Sequence, residues 1–340
     1  MFGDSPLDSC SDVGESICQT QIKIHIRIFI FNLPENEFKN LDEAISMRKN
    51  FEKYGATDFE ELAIKLKREP ICPKCGSKFY VKHSHTPNSK QRYQCKECGH
   101  RYNLMSNSIF NSTNKSFDTW ITYLTLMTFN VPLEMTEELC DISHPTAMLW
   151  RKKVFSTIND YQDRIILRGT VWIDETYIFD SSILHDNDFT SKRGLSKNQL
   201  CIVVAIDIFE NTYAVICGHG KPTKKRIYNA LKDHIEDNAL LIHDGEKAHN
   251  ELIEKLHLRS EVYKADSKSN DYLLHMALIN NLCSWIKRYI YRFVGMRKEN
   301  LQSYLNWFVY LLRVKNSTNK WPKLERILRH LILNEGTFTK

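Results

Sequence analysis

TVWID, residues 170–174, and LLIHD, residues 240–244, decide the fold: each is a short run of strand-forming residues that closes on an aspartate. Apolar runs of four residues bounded by polar turns read as buried strands, and between them QLCIVVAID (199–207) is longer and apolar almost throughout. The pattern from 170 onward predicts strands over 170–174, 200–207 and 212–217, with a turn at Glu210-Asn211, then a helix over 224–236. Further strands follow at 239–243 and 261–264, and a long helix over 272–293. Pro222 and Thr223 give that first helix its start signal, and Ile227, Leu231 and Ile235 line one of its faces.

Upstream, the periodicity is helical: residues 56–67, 117–130 and 133–157 carry apolar positions three and four apart. Periodicity changes near Arg168, which marks a domain boundary. The expected organisation is an N-terminal extension (1–55), a helix with a metal-binding module (56–105), a helical segment (106–168), an α/β domain (169–315) and a basic C-terminal tail (316–340). Within the extension, Ile22, Ile24, Ile26, Ile28 and Ile30 alternate with polar residues, which predicts a strand.

The 340 residues suffice for two or three domains, and 42% hydrophobic residues supply at least one full core, so a disordered or fibrous chain is excluded. The net charge of +6 suits a polyanionic partner without demanding one. From Lys287 to Lys340, twelve lysines and arginines stand against three acids (Glu299, Glu325, Glu335). No apolar run spans a bilayer and no secretory signal is evident, and most of the ten cysteines are scattered singly. The expectation is a cytoplasmic protein with no membrane partner.

Four cysteines are not scattered. Cys72, Cys75, Cys95 and Cys98 follow C-x2-C-x19-C-x2-C, the spacing of a four-thiolate zinc site, and Gly76 and Gly99 allow each pair to fold as a turn. A closed set of four ligands makes such zinc structural. Residues 133–140 and 145–155, joined by a short connection with Pro145 at the start of the second helix, read as a helix-turn-helix candidate. Thr146, Trp150, Arg151 and Lys152 would then face a major groove; a plain helical hairpin fits the same pattern.

Asp174 and Asp244, at strand ends, are well placed to share a hard divalent cation, although each alone also fits a turn. On the predicted helix over 272–293, Asn280, Cys283, Ser284 and Lys287 fall on one face, while Leu278, Leu282, Ile286, Tyr289 and Phe293 fall on the other. The polar stripe either faces solvent or is aimed at the two aspartates.

The order of segments resembles the zinc-ribbon insertion-sequence transposases of the ISXO-like group. The matching stretches are CPKCGS, YQCKECGHRY, WIDETY, RGLSKNQLCIVVAID, GKPTKKRIYNAL, LIHDG and INNLCSWIKRYIYRFVGMRKENLQSYLNWF, spread over residues 70–310 in the family's order. The resemblance implies an α/β, ribonuclease H-like fold with a mixed five-stranded sheet, flanking helices, and its first and fourth strands adjacent. It implies Asp174, Asp244 and Asn280 as ligands of Mg2+ (or Mn2+), Lys287 beside the scissile phosphate, and Arg288 and Arg292 along the DNA backbone. Two positions, Cys283 and His249, depart from the family pattern. The activity implied is metal-dependent cleavage of double-stranded DNA at element ends followed by strand transfer, by a homo-oligomer. The competing expectation is a non-catalytic DNA-binding regulator or inactive relic.

Overall fold

The computed structural model describes residues 23, 26–87, 90–111, 113–179, 198–266, 268–293, 295–316 and 322–334. The chain separates into two compact units, Met1–Leu62 and Ala63–Lys340. In the first unit α1 (Glu35–Tyr54) ends where Gly55 takes up left-handed φ of 67° and donates its N–H to the Phe51 carbonyl. Residues 26–31 are helical, not extended, which corrects the strand expected from the alternating isoleucines. Ile22 and Ile24 lie outside the described residues. α2 (Phe59–Lys65) is shorter than the helix expected over 56–67.

The second unit begins with a three-stranded antiparallel sheet, β1 (Tyr80–His85), β2 (Gln91–Cys95) and β3 (Arg101–Asn103). Three helices follow: α3 (Phe117–Thr128), α4 (Leu133–Cys140) and α5 (His144–Ser156). Ser116 caps α3 by accepting the Thr119 N–H. Asp141, at φ 48°, closes α4 and turns the chain into α5, giving the expected pair of helices. Their packing is aromatic: Trp150 stacks on Trp120 with ring centroids 3.6 Å apart, and both indoles are buried.

The large sheet has the order β6-β5-β4-β7-β8, built from β4 (Thr170–Phe179), β5 (Gln199–Asp207), β6 (Thr212–His219), β7 (Leu240–His243) and β8 (Arg259–Val262). β4, β5 and β6 run antiparallel, whereas β7 and β8 lie parallel to β4. In chain order that is 3-2-1-4-5, the mixed five-stranded sheet of a ribonuclease H-like domain, with first and fourth strands adjacent as expected. β5 is buried along nearly its whole length because both faces are covered, which accounts for its unbroken apolar run.

On one face Val171, Ile173, Val203, Ala205 and Leu241 join Ile227 and Leu231 of α6 (Lys224–Leu231) and Leu252 of α7 (Asn250–Lys255) in a continuous core. The region expected to be one long helix over 272–293 is two, α8 (Asn270–His275) and α9 (Ala277–Ile290), with α9 packed on β4 and β5. α10 (Leu301–Asn316) packs on β6.

The helical segment is tied directly to the sheet. Gln162 accepts the Ala214 N–H and donates to the Ala214 carbonyl and to Asn306, joining the stretch before β4 to β6 and α10. Within the region expected as a basic tail lies α11 (Lys323–Leu333), whose Ile327, Leu328, Leu331 and Ile332 are buried. Apolar residues at helical spacing, rather than local charge, set its fate. Among the described residues no helix is long and apolar enough to cross a membrane.

Candidate functional site

Asp174 does not end its strand. β4 continues five residues further, to Phe179, and Asp174 pairs with Val204 of β5 in its interior. Asp244 does follow directly on the end of β7. The parallel register Thr170↔Leu240, Val171↔Leu241, Trp172↔Ile242 places the end of β7, which Asp244 follows, beside the strand that carries Asp174 two residues beyond Trp172. One oxygen of each carboxylate accepts a main-chain N–H, from Glu175 to Asp174 (2.8 Å) and from Glu246 to Asp244 (2.9 Å).

The Asp174 carboxyl is pushed up to about 7: burial is the largest cause, the Glu175 and Asp244 carboxylates add to it, and the Glu175 N–H and His249 oppose it. Acids gathered in a half-buried place resist ionising together, which is the cause of the shift.

α9 lies over this face. Its buried side chains are Ile279, Leu282, Cys283, Ile286, Tyr289 and Ile290, so the polar stripe is narrower than its sequence implies and Leu278, expected on the apolar back, is 42% exposed. Cys283 is the member of the stripe that turns inward. Its thiol is pushed well up by burial first and then by the Asp174 charge, while Lys287 acts the other way. Asn280 stands about one turn before Cys283 and Lys287 about one turn after it. The Asn280 Nδ2 donates to the Tyr272 hydroxyl at 3.3 Å, and Lys287 is exposed. The helix is indexed to the strand by the Trp172 indole N–H, which donates to the His275 carbonyl at 2.9 Å, at the break between α8 and α9.

On the opposite side of β4, Glu175 points into the core face with a side chain only 5% exposed. It accepts from Nε2 of the fully buried His249 at 2.8 Å. His249 Nδ1 meets His243 Nδ1 at 3.0 Å, and His243 Nε2 donates to the Ser260 hydroxyl at 2.9 Å. For His249, burial works to lower the pKa but the hydrogen bond and charge of Glu175, with Asp244 and Asp174, outweigh it and raise it. His243 is pushed down to about 4 by burial and by His249. At the rim, Lys221 forms an ion pair with Glu246 at 2.7 Å, and Glu246, then Asp244 and Glu175, raise the lysine.

Sequence reasoning passed over Glu175, His243 and Lys221, and read His249 only as a departure. The available signal was adjacency: Glu175 follows Asp174, His243 precedes Asp244, and Lys221 sits in the quoted GKPT stretch.

The four zinc-type cysteines converge, with their sulfur atoms all within 4.8 Å of one another. Cys72 and Cys98 are 3.5 Å apart, Cys75 and Cys95 3.6 Å. Sulfurs each about 2.3 Å from one tetrahedral zinc stand about 3.8 Å apart, so the spacing fits the ion. Gly76 and Gly99, at φ near 70°, close the two turns by donating to the Cys72 and Cys95 carbonyls. The N–H of Cys98 foremost holds the Cys95 thiol down to about 6, whereas at Cys75 the Ser77 N–H is outweighed by the neighbouring thiols, which push the other way.

The expected DNA-facing residues divide. Lys152, Arg288 and Arg292 are exposed, and Arg292 reaches the Phe129 carbonyl. Arg151 is 4% exposed: it donates to the Val131 carbonyl at 2.9 Å and lies over the Phe293 ring. That removes Arg151 from the groove-facing set, as burial against Trp120 removes Trp150. The helix pair uses those two positions to build its core.

Residues 166–312 match the ISXO2-like transposase domain. Over 256 residues, 72% of this chain and 86% of the relative, the sequence is 23% identical to an uncharacterized protein in transposable element ISH50 of Halobacterium salinarum (strain ATCC 700922 / JCM 11081 / NRC-1). A cryoEM structure of the simian T-cell lymphotropic virus intasome in complex with PP2A regulatory subunit B56 gamma aligns with 59% of this chain and 70% of its own. The identity there is 11% and the TM-score 0.30, too low to bear on function. The segment that matches this transposase domain contains the whole five-stranded sheet together with Asp174 and Asp244.

Proposed function

We propose that the protein cuts DNA at the ends of an insertion element and joins the freed ends to target DNA. One observation supports the reading: β4, which carries Asp174, and β7, which leads into Asp244, are adjacent parallel strands of the sheet. Such a carboxylate pair fits Mg2+ or Mn2+, which prefer oxygen ligands. When bound, a divalent pair lowers the pKa of water and offsets charge on the attacking and leaving oxygens of a phosphodiester.

The chain's own residues have separable tasks. Asp174 and Asp244 hold the cations. Asn280 contributes its amide oxygen, since its nitrogen is engaged by Tyr272. Lys287 steadies a phosphate from the exposed rim, and Lys152, Arg288 and Arg292 track the backbone of double-stranded DNA, with Lys221 added by its position. Cys72, Cys75, Cys95 and Cys98 hold a structural zinc. Water first breaks the P–O bond to leave a 3′-hydroxyl, and that hydroxyl then attacks a target phosphodiester at the same site. Two element ends must be brought together, which calls for at least a dimer.

The test is Mg2+-dependent nicking of a labelled element-end duplex, followed by detection of joined products. Binding without nicking, in the wild-type chain, would replace this reading with that of a DNA-binding regulator. Nicking without joined products would leave a nuclease.

A further inference from the structure

The Glu175–His249–His243–Ser260 chain has no role in the reaction just described. In it both imidazoles are held by their Nε2 atoms, His249 by the Glu175 carboxylate and His243 by the Ser260 hydroxyl. Both Nδ1 atoms therefore point inward at each other, 3.0 Å apart, with the rings 72° from coplanar. Asp244 completes the group: one oxygen of its carboxylate and the two imidazole donors all lie within 4.8 Å of one another. Both histidines are buried (0% and 2% exposed), while Asp244 is half-buried and Gly245 after it is exposed.

We infer that His243, Asp244 and His249 form a second metal site, selective for zinc-class divalent cations and separate in its nitrogen ligands from the Mg2+ carboxylates. Two imidazoles with one carboxylate suit Zn2+ or Co2+ and are a poor match for Mg2+, which demands oxygen. The outer hydrogen bonds are those metal-binding histidines use: a carboxylate or hydroxyl on the far nitrogen fixes the tautomer and turns the near nitrogen toward the ion. Two nitrogens about 2.0–2.1 Å from one tetrahedral zinc stand about 3.3 Å apart, so the rings must part by a few tenths of an ångström and turn until both Nδ1 lone pairs meet on an ion beside the line that joins them.

Without metal, the Gly245 N–H donates to His243 Nδ1 at 3.2 Å, which makes that nitrogen an acceptor and leaves the proton between the rings on His249. The ion takes the place of that proton, which is released to solvent. Resting on the proposed function, the inference has a consequence: zinc at this site draws Asp244 away from the catalytic cations and inhibits cleavage.

The experiment is metal stoichiometry on the full chain dialysed against Zn2+, with Co2+ spectra as a second readout. Wild type should hold two zinc ions per chain, and His249→Gln and His243→Gln one each, the zinc of the four cysteines remaining. The second Co2+ should show a nitrogen/oxygen d–d band without thiolate charge transfer. Glu175→Gln should weaken the second zinc roughly 10–100-fold, the loss typical of an outer partner. One zinc per wild-type chain, or a second zinc that survives both histidine substitutions, overturns the inference. The stoichiometry does not depend on cleavage: two zincs in a chain that never nicks DNA would sink the proposed function alone, and one zinc in a chain that nicks would sink the second site alone.

Discussion

Trp172 of β4 pairs with Ile242 of β7 in parallel, so Asp174 and Asp244, each two residues further along and 70 positions apart in sequence, belong to neighbouring parts of the sheet. Neither aspartate needs a contact of its own to find the other. The hydrogen-bond ladder of two otherwise apolar strands does this, and α9 packs over β4 with Cys283 buried.

If these carboxylates hold the catalytic cations, Asp174→Asn and Asp244→Asn should each lower Mg2+-dependent nicking on the order of 10³-fold, about 4 kcal/mol of barrier. Duplex binding, measured by fluorescence anisotropy, should be unchanged. Nicking at near wild-type rates in Asp174→Asn would remove that residue from the site.

The raised Asp174 carboxyl has a sign. Its folded pKa, about 7, lies above its ordinary value of 3.8, so the folded state binds the extra proton and stability falls as pH rises from about 4 to 7. Metal-free Asp174→Asn should therefore be more stable than wild type at pH 8, on the order of 1–3 kcal/mol. The difference should vanish near pH 4 and shrink under saturating Mg2+. Thermal melts across that range check it; equal melting temperatures at pH 8 would contradict the electrostatic account.

Asn280 and its neighbour Asn281 give an internal control. Asn280 is half-buried beside Tyr272, whereas Asn281 is exposed. Asn280→Ala should cost at least about 10-fold in cleavage rate, roughly 1.4 kcal/mol, and Asn281→Ala should cost nothing measurable. The reverse order of effects in single-turnover kinetics would show that the wrong amide was chosen.

Zinc chelation should loosen β1–β3 and leave the large sheet protected. The Arg68 guanidinium bonds to both the Leu104 and Ile332 carbonyls, so loosening should extend to α11. Hydrogen exchange resolves this by segment: β4, β5 and β7 amides should keep their protection, and its loss there would mean that the small sheet and the large one melt together.

Much of this is legible in the sequence, for physical reasons that differ by element. The buried strands announce themselves because a strand covered on both faces, such as β5, has no choice but an apolar run. The cysteine pairs are legible because tetrahedral thiolate coordination fixes spacing. The strand through Asp174 reads short because a carboxylate looks like a strand terminus, yet β4 goes on through Glu175 into Thr176, Tyr177 and Ile178. Glu175 is hidden from local reasoning altogether: its partner, His249, lies 74 residues away. The isoleucine alternation fails for the opposite reason, since a period of two carries weight only where a sheet exists to receive it. Arg151 reads as a surface cation and is buried, because its acceptor is a main-chain carbonyl on a neighbouring loop that no side-chain pattern discloses.

The bond from the Trp172 indole to the His275 carbonyl has a broader meaning. It grips main chain at the seam between two helices, so the lever that carries Asn280 is hinged by an atom every amino acid possesses. Side chains on the inward side of that lever, Cys283 among them, can be exchanged without removing the acceptor, so the placement of the helix is independent of the chemistry it presents.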